Sequence, residues 1–435
     1  MGKERVAVGI IGFGTVGSGT ARILLENRDL LRERTGFDLV LKRISDLDIT
    51  RDRGIRVAEG VLTTNAHEVL DDPEIDIIVE LIGGIHPAKE FILRAIKNKK
   101  HVITANKALL ATEGNDIFSE AEKKGVEIGF EASVAGGIPI IKVVREGLVA
   151  NRFLNVYGII NGTSNYILSR MTEEGIEFSH ALKEAQKLGY AEADPTFDVE
   201  GIDSAHKLTI LASLAYNIPL SYGSVYKEGI TKITPQDIAF ASELGYKIKL
   251  LTIAKAVDGE VELRVHPTMI PADYLISKVD GVFNAIYVEG DAVGATLYYG
   301  RGAGDMPTGS AIVSDIVDIA RNMRMNATGR VPLIRTSPSA LRVRRMEDVE
   351  SMYYFRFSAV DSPGVLSKIS GILGDNNISI ASVIQKGRRV SGGVPLVVLT
   401  HRAREKDVLR AVTSIDNLPV VMDKAHFIRV EGREE

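Results

Sequence analysis

The chain has 435 residues, 45% hydrophobic and 25% charged, too long for one ordinary core and too apolar for disorder, so two or three folded domains are expected. Its formal net charge is -4, with 53 Lys plus Arg against 57 Asp plus Glu, which offers no basic excess to attract nucleic acid. It contains 0 cysteines, which excludes disulfides, thiolate catalysis and Cys-ligated metal, and no run approaches the ~18 apolar residues of a membrane helix.

In chain order, Val6 to Ile11 is a short apolar run with no apolar leader ahead of it, so a cytoplasmic enzyme is expected. A helical pattern follows from Thr15 to about Arg34, then a strand from Leu39 to Ile44 and another from Ile75 to Ile82. A helix over Pro87 to Asn98 leads to strands at His101 to Thr104 and Val126 to Phe130. This alternation predicts an α/β fold that opens with a doubly wound, Rossmann-type parallel sheet over residues 1–135.

Beyond it lie a helix at Ile138 to Gly147, a strand at Phe153 to Ile160, and helices through Tyr216. Four or five β-like runs between Ile248 and Tyr299 and a helix over Pro307 to Asn322 complete a central α+β domain, 136–325. We expect this domain to carry substrate binding and dimerisation and to return to the first domain near 300–321. Residues 326–350, with Pro332 and Pro338, read as a linker. The order β-α-β-β-α-β over 351–435 predicts a ferredoxin-like split unit.

Gly12-Phe13-Gly14-Thr15-Val16-Gly17 is a G-x-G-x-x-G turn between a strand and a helix. Its glycines allow a tight turn, close approach of a pyrophosphate, and close helix–strand packing; the helix start then offers N–H groups to phosphate. In this setting it is a strong sign of a nicotinamide dinucleotide. Asp46, after the second strand, would accept ribose hydroxyls and favour NAD, whereas Arg43, Arg51 and Arg53 could receive a 2′-phosphate and favour NADP. Both cofactors stay open. Asp203 and Lys207 stand four apart, so on a helix they share a face, a spacing that by itself fits an ordinary solvated pair.

Further segments point to one family: Thr104-Ala105-Asn106-Lys107, Glu131-Ala132-Ser133-Val134-Ala135-Gly136-Gly137-Ile138-Pro139, Asn161-Gly162-Thr163-Ser164-Asn165-Tyr166, and Leu188-Gly189-Tyr190-Ala191-Glu192-Ala193-Asp194-Pro195 followed by Gly201-Ile202-Asp203-Ser204-Ala205-His206-Lys207. Together they resemble homoserine dehydrogenases from Val6 to about Arg321. Asp361-Ser362-Pro363-Gly364-Val365-Leu366, with Asn376-Asn377-Ile378 behind it, resembles an ACT regulatory domain.

The resemblance implies hydride exchange between NAD(P)H and L-aspartate 4-semialdehyde to give L-homoserine, on the route to threonine, methionine and isoleucine. It implies Lys207 as general acid/base, and Lys107 between nicotinamide and substrate. Glu192 would bind homoserine, with Asp203 in the same polar cluster. Gly302 and Gly304, in a loop that folds back on the first domain, join the cofactor residues. A monovalent cation, Na+ or K+, is implied at Glu131, Val134, Gly136 and Ile138, though a plain strand-to-helix turn fits those residues equally. Threonine is the natural effector, with Asn376 and Asn377 as ligand contacts or simply turn residues, and a homo-oligomer, dimer or tetramer, is expected.

Aspartate-semialdehyde dehydrogenase needs a cysteine thiolate and is excluded. A sugar-type Rossmann oxidoreductase would show Glu-Lys-Pro after the corresponding strand, where this chain has Thr104-Ala105-Asn106-Lys107, while another Rossmann-type oxidoreductase of a small amino-acid aldehyde or alcohol stays as the alternative. A catalytically silent amino-acid sensor is opposed by the joint presence of Lys107, Glu192, Asp203 and Lys207.

Overall fold

The computed structural model describes residues 4–334, 341–385 and 393–432; Pro338 of the expected linker lies outside them. The chain opens with β1 (Arg5–Ile11), α1 (Thr15–Glu26), α2 (Arg28–Thr35), β2 (Asp38–Ser45), β3 (Leu62–Thr63), α3 (Ala66–Leu70), β4 (Ile77–Glu80), α4 (Ala88–Lys97), β5 (His101–Thr104), α5 (Lys107–Lys124) and β6 (Ile128–Gly129). The six strands pair in the order β3-β2-β1-β4-β5-β6, all parallel. Helices cover both faces of such a sheet, which is why β1 and β4 are almost continuously buried instead of alternating. The single helix expected over Thr15 to Arg34 is two, because the chain leaves helical geometry at Asn27 (φ −100°, ψ 19°). Asparagine competes for backbone hydrogen bonds and favours such a break.

Next come α6 (Ile140–Lys142), β7 (Phe153–Ile159), α7 (Gly162–Glu174), α8 (Phe178–Lys187), α9 (Thr196–Val199) and α10 (Ile202–Tyr216). The helix expected to Gly147 widens after Lys142 into a π-helical turn, Val143–Gly147. The chain continues through β8 (Tyr226–Lys227), α11 (Pro235–Glu243), β9 (Tyr246–Val257), β10 (Glu260–Pro271), β11 (Phe283–Gly290), β12 (Gly294–Arg301) and α12 (Asp305–Arg324). β9 and β10 form a long hairpin whose two-residue turn, Asp258-Gly259, has positive φ at both positions (51° and 76°). That is the geometry that matches strand twist.

After the short strand β13 (Arg342–Val343), the C-terminal part runs β14 (Glu350–Ala359), α13 (Val365–Asp375), β15 (Ile380–Gln385), β16 (Val394–Thr400), β17 (Ala403–Arg404), α14 (Glu405–Asp416) and β18 (Val421–Val430). Its strands pair in the order β18-β14-β16-β15, the ferredoxin-like arrangement. Tyr353, Phe355 and Phe357 alternate along β14 toward a core shared with Ile369, Leu373, Val408 and Ile415 of the two helices.

By contact density the chain forms two compact units. The first comprises 1–162, 203–225 and 282–342; the second 163–202, 226–281 and 343–435. The central stretch 136–325 is thus shared between them. In the first unit, α12 packs tightly along α1: a Cβ on Gly19 would stand 2.3 Å from the Asp305 carbonyl oxygen. In the second, β10 pairs in parallel with β18 at Thr268↔Arg429, so the β9–β10 hairpin and the C-terminal strands make one sheet.

Candidate active site

The glycine loop lies where β1 meets α1, at the carboxyl end of the parallel strands. Gly12 has φ +103°, a conformation L side chains rarely adopt, and a Cβ on Gly17 would lie 2.0 Å from the Gly12 carbonyl oxygen. A Cβ on Gly14 would meet nothing within 4 Å. The turn is therefore sealed on its inner side and open at Gly14, as approach of a pyrophosphate to Phe13, Gly14, Thr15 and Val16 requires. The residues fit a dinucleotide.

Asp46 is held by this loop: the Phe13 N–H donates to its Oδ2 at 2.5 Å, and Arg53 Nη2 lies 3.3 Å from its Oδ1. The Arg53 guanidinium also covers the Phe13 ring at 4.8 Å. Arg43 instead pairs with Glu68 at 2.8 Å. Gly302 precedes α12, packed so that a Cβ would collide with Asn284, and Gly304 caps that helix with φ 124°.

At the ends of β4 and β5 a buried polar knot shapes the next loop. Thr104 Oγ1 donates to Glu80 Oε2 at 2.7 Å, and Glu80 Oε1 accepts from the Ile82 N–H at 2.8 Å. Burial pushes the Glu80 carboxyl up, against these hydrogen bonds. Asn106 caps α5, accepting from the Leu109 N–H at 3.1 Å while donating to the Gly84 carbonyl at 2.5 Å. Lys107 is thereby fixed as the first residue of α5.

Its ammonium lies 3.3 Å from Asp203 Oδ1. Asp203 Oδ2 accepts from Lys207 Nζ at 2.7 Å and from Asn161 Nδ2 at 2.9 Å. Lys207 Nζ also donates to the Ile160 carbonyl at 2.7 Å. Burial alone would raise the Asp203 carboxyl, but the charges of Lys207 and Lys107 and the hydrogen bonds hold it well below the usual carboxylate range. One ionised carboxylate thus sets two ammonium groups, from α5 and α10, beside each other. Lys107 is the more open, its side chain 37% exposed against 11% for Lys207.

Asn161, Glu80, Thr104 and Asn106 were not singled out individually from the sequence. A carboxylate ending the apolar run Ile77-Ile78-Val79-Glu80 was the available signal, since a buried acid needs fixed donors.

Glu192 is exposed on a loop of the second unit. Thr163 Oγ1 ties that loop by donating to the Tyr190 carbonyl at 2.6 Å, and Gln186 Nε2 donates to the Glu192 carbonyl at 3.1 Å. Ser164 Oγ reaches the Asp198 carbonyl at 2.8 Å and Asn165 Nδ2 the Val279 carbonyl at 3.0 Å. Thr163, Ser164 and Asn165 thus each pin a different segment of the second unit.

Glu131 is buried, and its carboxylate caps α6 by accepting from the N–H groups of Ile141 (2.7 Å) and Lys142 (2.9 Å). Its own N–H donates to Asp315 Oδ2 at 2.8 Å. Burial, then the neighbouring Asp315 charge, pushes Glu131 up to about 7, and burial pushes Asp315 up to about 6. Acids raised in the folded state bind more protons there than when unfolded, so stability falls as pH rises. The melting temperature should therefore decline between about pH 4 and 7, with Glu131→Gln and Asp315→Asn each flattening that slope in a calorimetric pH series.

Val134, Gly136 and Ile138 follow in a turn where Ala135 and Gly136 have positive φ (53° and 52°). The Ile138 carbonyl accepts from the Ile140 N–H at 2.8 Å. Among the described residues no group of three or more His, Cys, Asp or Glu is placed to hold a metal ion, and no helix is long and apolar enough to cross a membrane.

Three family descriptions match the chain: the homoserine dehydrogenase NAD binding domain over residues 12–131, homoserine dehydrogenase over 139–317, and the ACT domain over 353–419. A homoserine dehydrogenase of Pseudomonas aeruginosa is 49% identical over 432 residues, covering 98% of this chain and 99% of its own length. The crystal structure of a homoserine dehydrogenase from Thiobacillus denitrificans superposes with a TM-score of 0.93 at 50% identity over 99% of both chains. A hyperthermophilic archaeal homoserine dehydrogenase in complex with NADPH matches with a TM-score of 0.62 at 25% identity, over 76% of this chain and 100% of the other. With a fold that places a dinucleotide turn and a paired-lysine centre in one unit, and with an ACT domain C-terminal in the sequence, the chain belongs to the homoserine dehydrogenase family of nicotinamide-dependent oxidoreductases.

Proposed function

We propose that Lys207 moves the proton in the interconversion of L-aspartate 4-semialdehyde and L-homoserine, with Asp203 and Lys107 as its partners. The observation that carries this assignment is the Asp203 carboxylate bridging two lysine ammonium groups at 2.7 and 3.3 Å. Two of the three N–H bonds of Lys207 serve Ile160 and Asp203. The third is the one for the C4 oxygen of the substrate. In reduction Lys207 gives that oxygen a proton; in oxidation the neutral amine takes it back. Lys107 complements the negative charge that develops there. Glu192 holds the substrate ammonium. The nicotinamide, when bound, supplies or accepts the hydride.

For the finer cofactor choice we favour NADP. Arg53 already pairs with Asp46 beside the glycine loop, which offsets the acid that would favour ribose hydroxyls and would offer a guanidinium to a 2′-phosphate. The archaeal relative carries NADPH. Arg53→Ala should raise the KM for NADP by about tenfold, the size of a lost charged hydrogen bond, with the KM for NAD changed by less than about twofold. Paired steady-state kinetics with the two cofactors tests it; equal losses for both would remove the assignment.

The effector, with threonine as the proposed one, binds the C-terminal domain. A cavity of about 430 Å³ opens between the end of β14 and the start of α13, lined by Asp361, Ser362, Gly364, Leu366 and Gln385. Asn376 and Asn377 sit at the other end of α13, where Asn376 Nδ2 donates to the Ile372 carbonyl and Asn377 takes φ 58°; we assign them to the turn. A monovalent cation on the carbonyls of Glu131, Val134, Gly136 and Ile138, a homo-oligomer joined through the half-exposed edge strand β12, and action in the cytoplasm complete the proposal.

A further inference from the structure

Residues 226–237 of the second unit are fastened at both ends to the C-terminal sheet. At one end Arg429 of β18 donates from Nη1 to Glu228 Oε2 at 2.8 Å and from Nη2 to the Tyr226 hydroxyl at 3.1 Å. Tyr226 completes the triangle by donating to Glu228 Oε2 at 3.0 Å. At the other end the fully buried Asp237 accepts from Arg356 Nε at 2.6 Å and from the Tyr354 hydroxyl at 3.2 Å, both on β14, and lies 3.3 Å from His426 Nδ1 on β18. Thr234 and Asp237 form a reciprocal cap that starts α11.

The middle of this segment bears on one turn. The Ile230 N–H donates to the Val199 carbonyl at 2.8 Å, and Thr231 Oγ1 donates to Glu200 Oε1 at 3.2 Å. Backbone approaches so closely at Gly229 that a Cβ there would lie 2.4 Å from the Val199 carbonyl oxygen. Gly201 (φ +75°) closes the turn, with the Glu228 carbonyl 3.5 Å from the position of a Cβ. Two residues later the chain reaches Asp203, and seven residues earlier than Val199 it holds Glu192.

We propose that Tyr226–Asp237 is a strap through which the C-terminal domain sets the Val199–Gly201 turn, with Glu228 and Thr231 as positioning residues for the segment from Glu192 to Asp203. The same two strands that grip the strap, β14 and β18, run to the cavity at Ala359, since Tyr353 pairs with Arg429 and Ala359 with Val421. A ligand that shifts β14 against β18 changes the grip on Glu228 and Asp237. Packed, hydrogen-bonded elements of this kind are the physical carriers of coupling between sites. The effector part of this inference rests on the reading of that cavity given above; the positioning part does not.

Two full-length variants test it. Glu228→Gln removes the charge that Arg429 holds, and Thr231→Val removes one hydroxyl at an exposed position where folding is undisturbed. We expect hydrogen exchange to quicken across 196–203 and 226–237. The KM for homoserine should rise about threefold or more while kcat changes by less than about twofold, because Lys207 keeps the Ile160 carbonyl as a second anchor. If L-threonine raises the wild-type KM, that response should shrink in both variants. Folded variants with wild-type exchange and wild-type KM would overturn the strap. A wild-type enzyme indifferent to L-threonine would remove the effector reading alone, and exchange and KM would still decide the strap.

Discussion

Replacing Lys207 by methionine lowers kcat for homoserine oxidation by about 10²–10⁴, the size of a lost general acid/base. Methionine matches the length of the lysine stem, so the packing of α10 survives. Asp203 keeps Lys107 at 3.3 Å and Asn161 at 2.9 Å, so the buried carboxylate is not left bare. Lys207→Arg separates charge from proton transfer: it retains the cation beside Asp203 but holds its proton throughout the accessible pH range. It should be as inactive as the methionine variant while binding homoserine better. Fluorescence titration of the reduced nicotinamide should show its binding unchanged in both. Near-normal turnover in either would refute the proton-transfer role.

Replacing Arg264 by methionine destabilises the second unit by about 3–5 kcal/mol, the cost of breaking a buried ion pair from one side. Arg264 is 1% exposed and bonds Glu262 Oε2 from both Nε (3.2 Å) and Nη2 (3.0 Å), as well as Glu431. Its Nη1 meets His266 Nε2 at 3.1 Å, and burial, with Arg429 and Arg264 close by, pushes that imidazole well below its ordinary value. Without the guanidinium, Glu262 keeps Arg344 at the longer distance of 3.7 Å and Glu431 keeps Lys255 at 4.0 Å. Urea unfolding followed by tyrosine fluorescence measures the loss. Adding Glu262→Gln and Glu431→Gln to the variant should recover most of it, since the buried carboxylate charges that Arg264 neutralised are then gone. No recovery would mean that lost packing, rather than uncompensated charge, carries the effect.

The parts of this protein legible in its sequence are those written in contiguous residues. Period-two burial in β14, the continuous apolar runs of β1 and β4, and the βαββαβ order at the C-terminus each follow from the geometry of one strand or one helix. The Gly12–Gly17 turn is equally local. So is the Asp203–Lys207 pair, because four residues are one helical turn; the spacing could not say whether water or protein surrounds it.

What only the tertiary structure decided is where polar groups find partners when water is absent. Asn161 and Lys107 reach Asp203 from other elements and turn a common helix pair into a buried centre. Asp46, after the second strand, accepts from the Phe13 N–H and pairs with Arg53, partners its own segment does not announce. Arg344, within the expected linker 326–350, pairs with Glu260 at 3.0 Å, and Arg429, in an ordinary strand pattern, lies at the centre of a buried network. The physical reason is common to all four. Apolar periodicity is fixed by backbone geometry over a few residues, whereas the energy of a charge depends on its solvent exposure and on neighbours within a few ångströms, which distant segments supply.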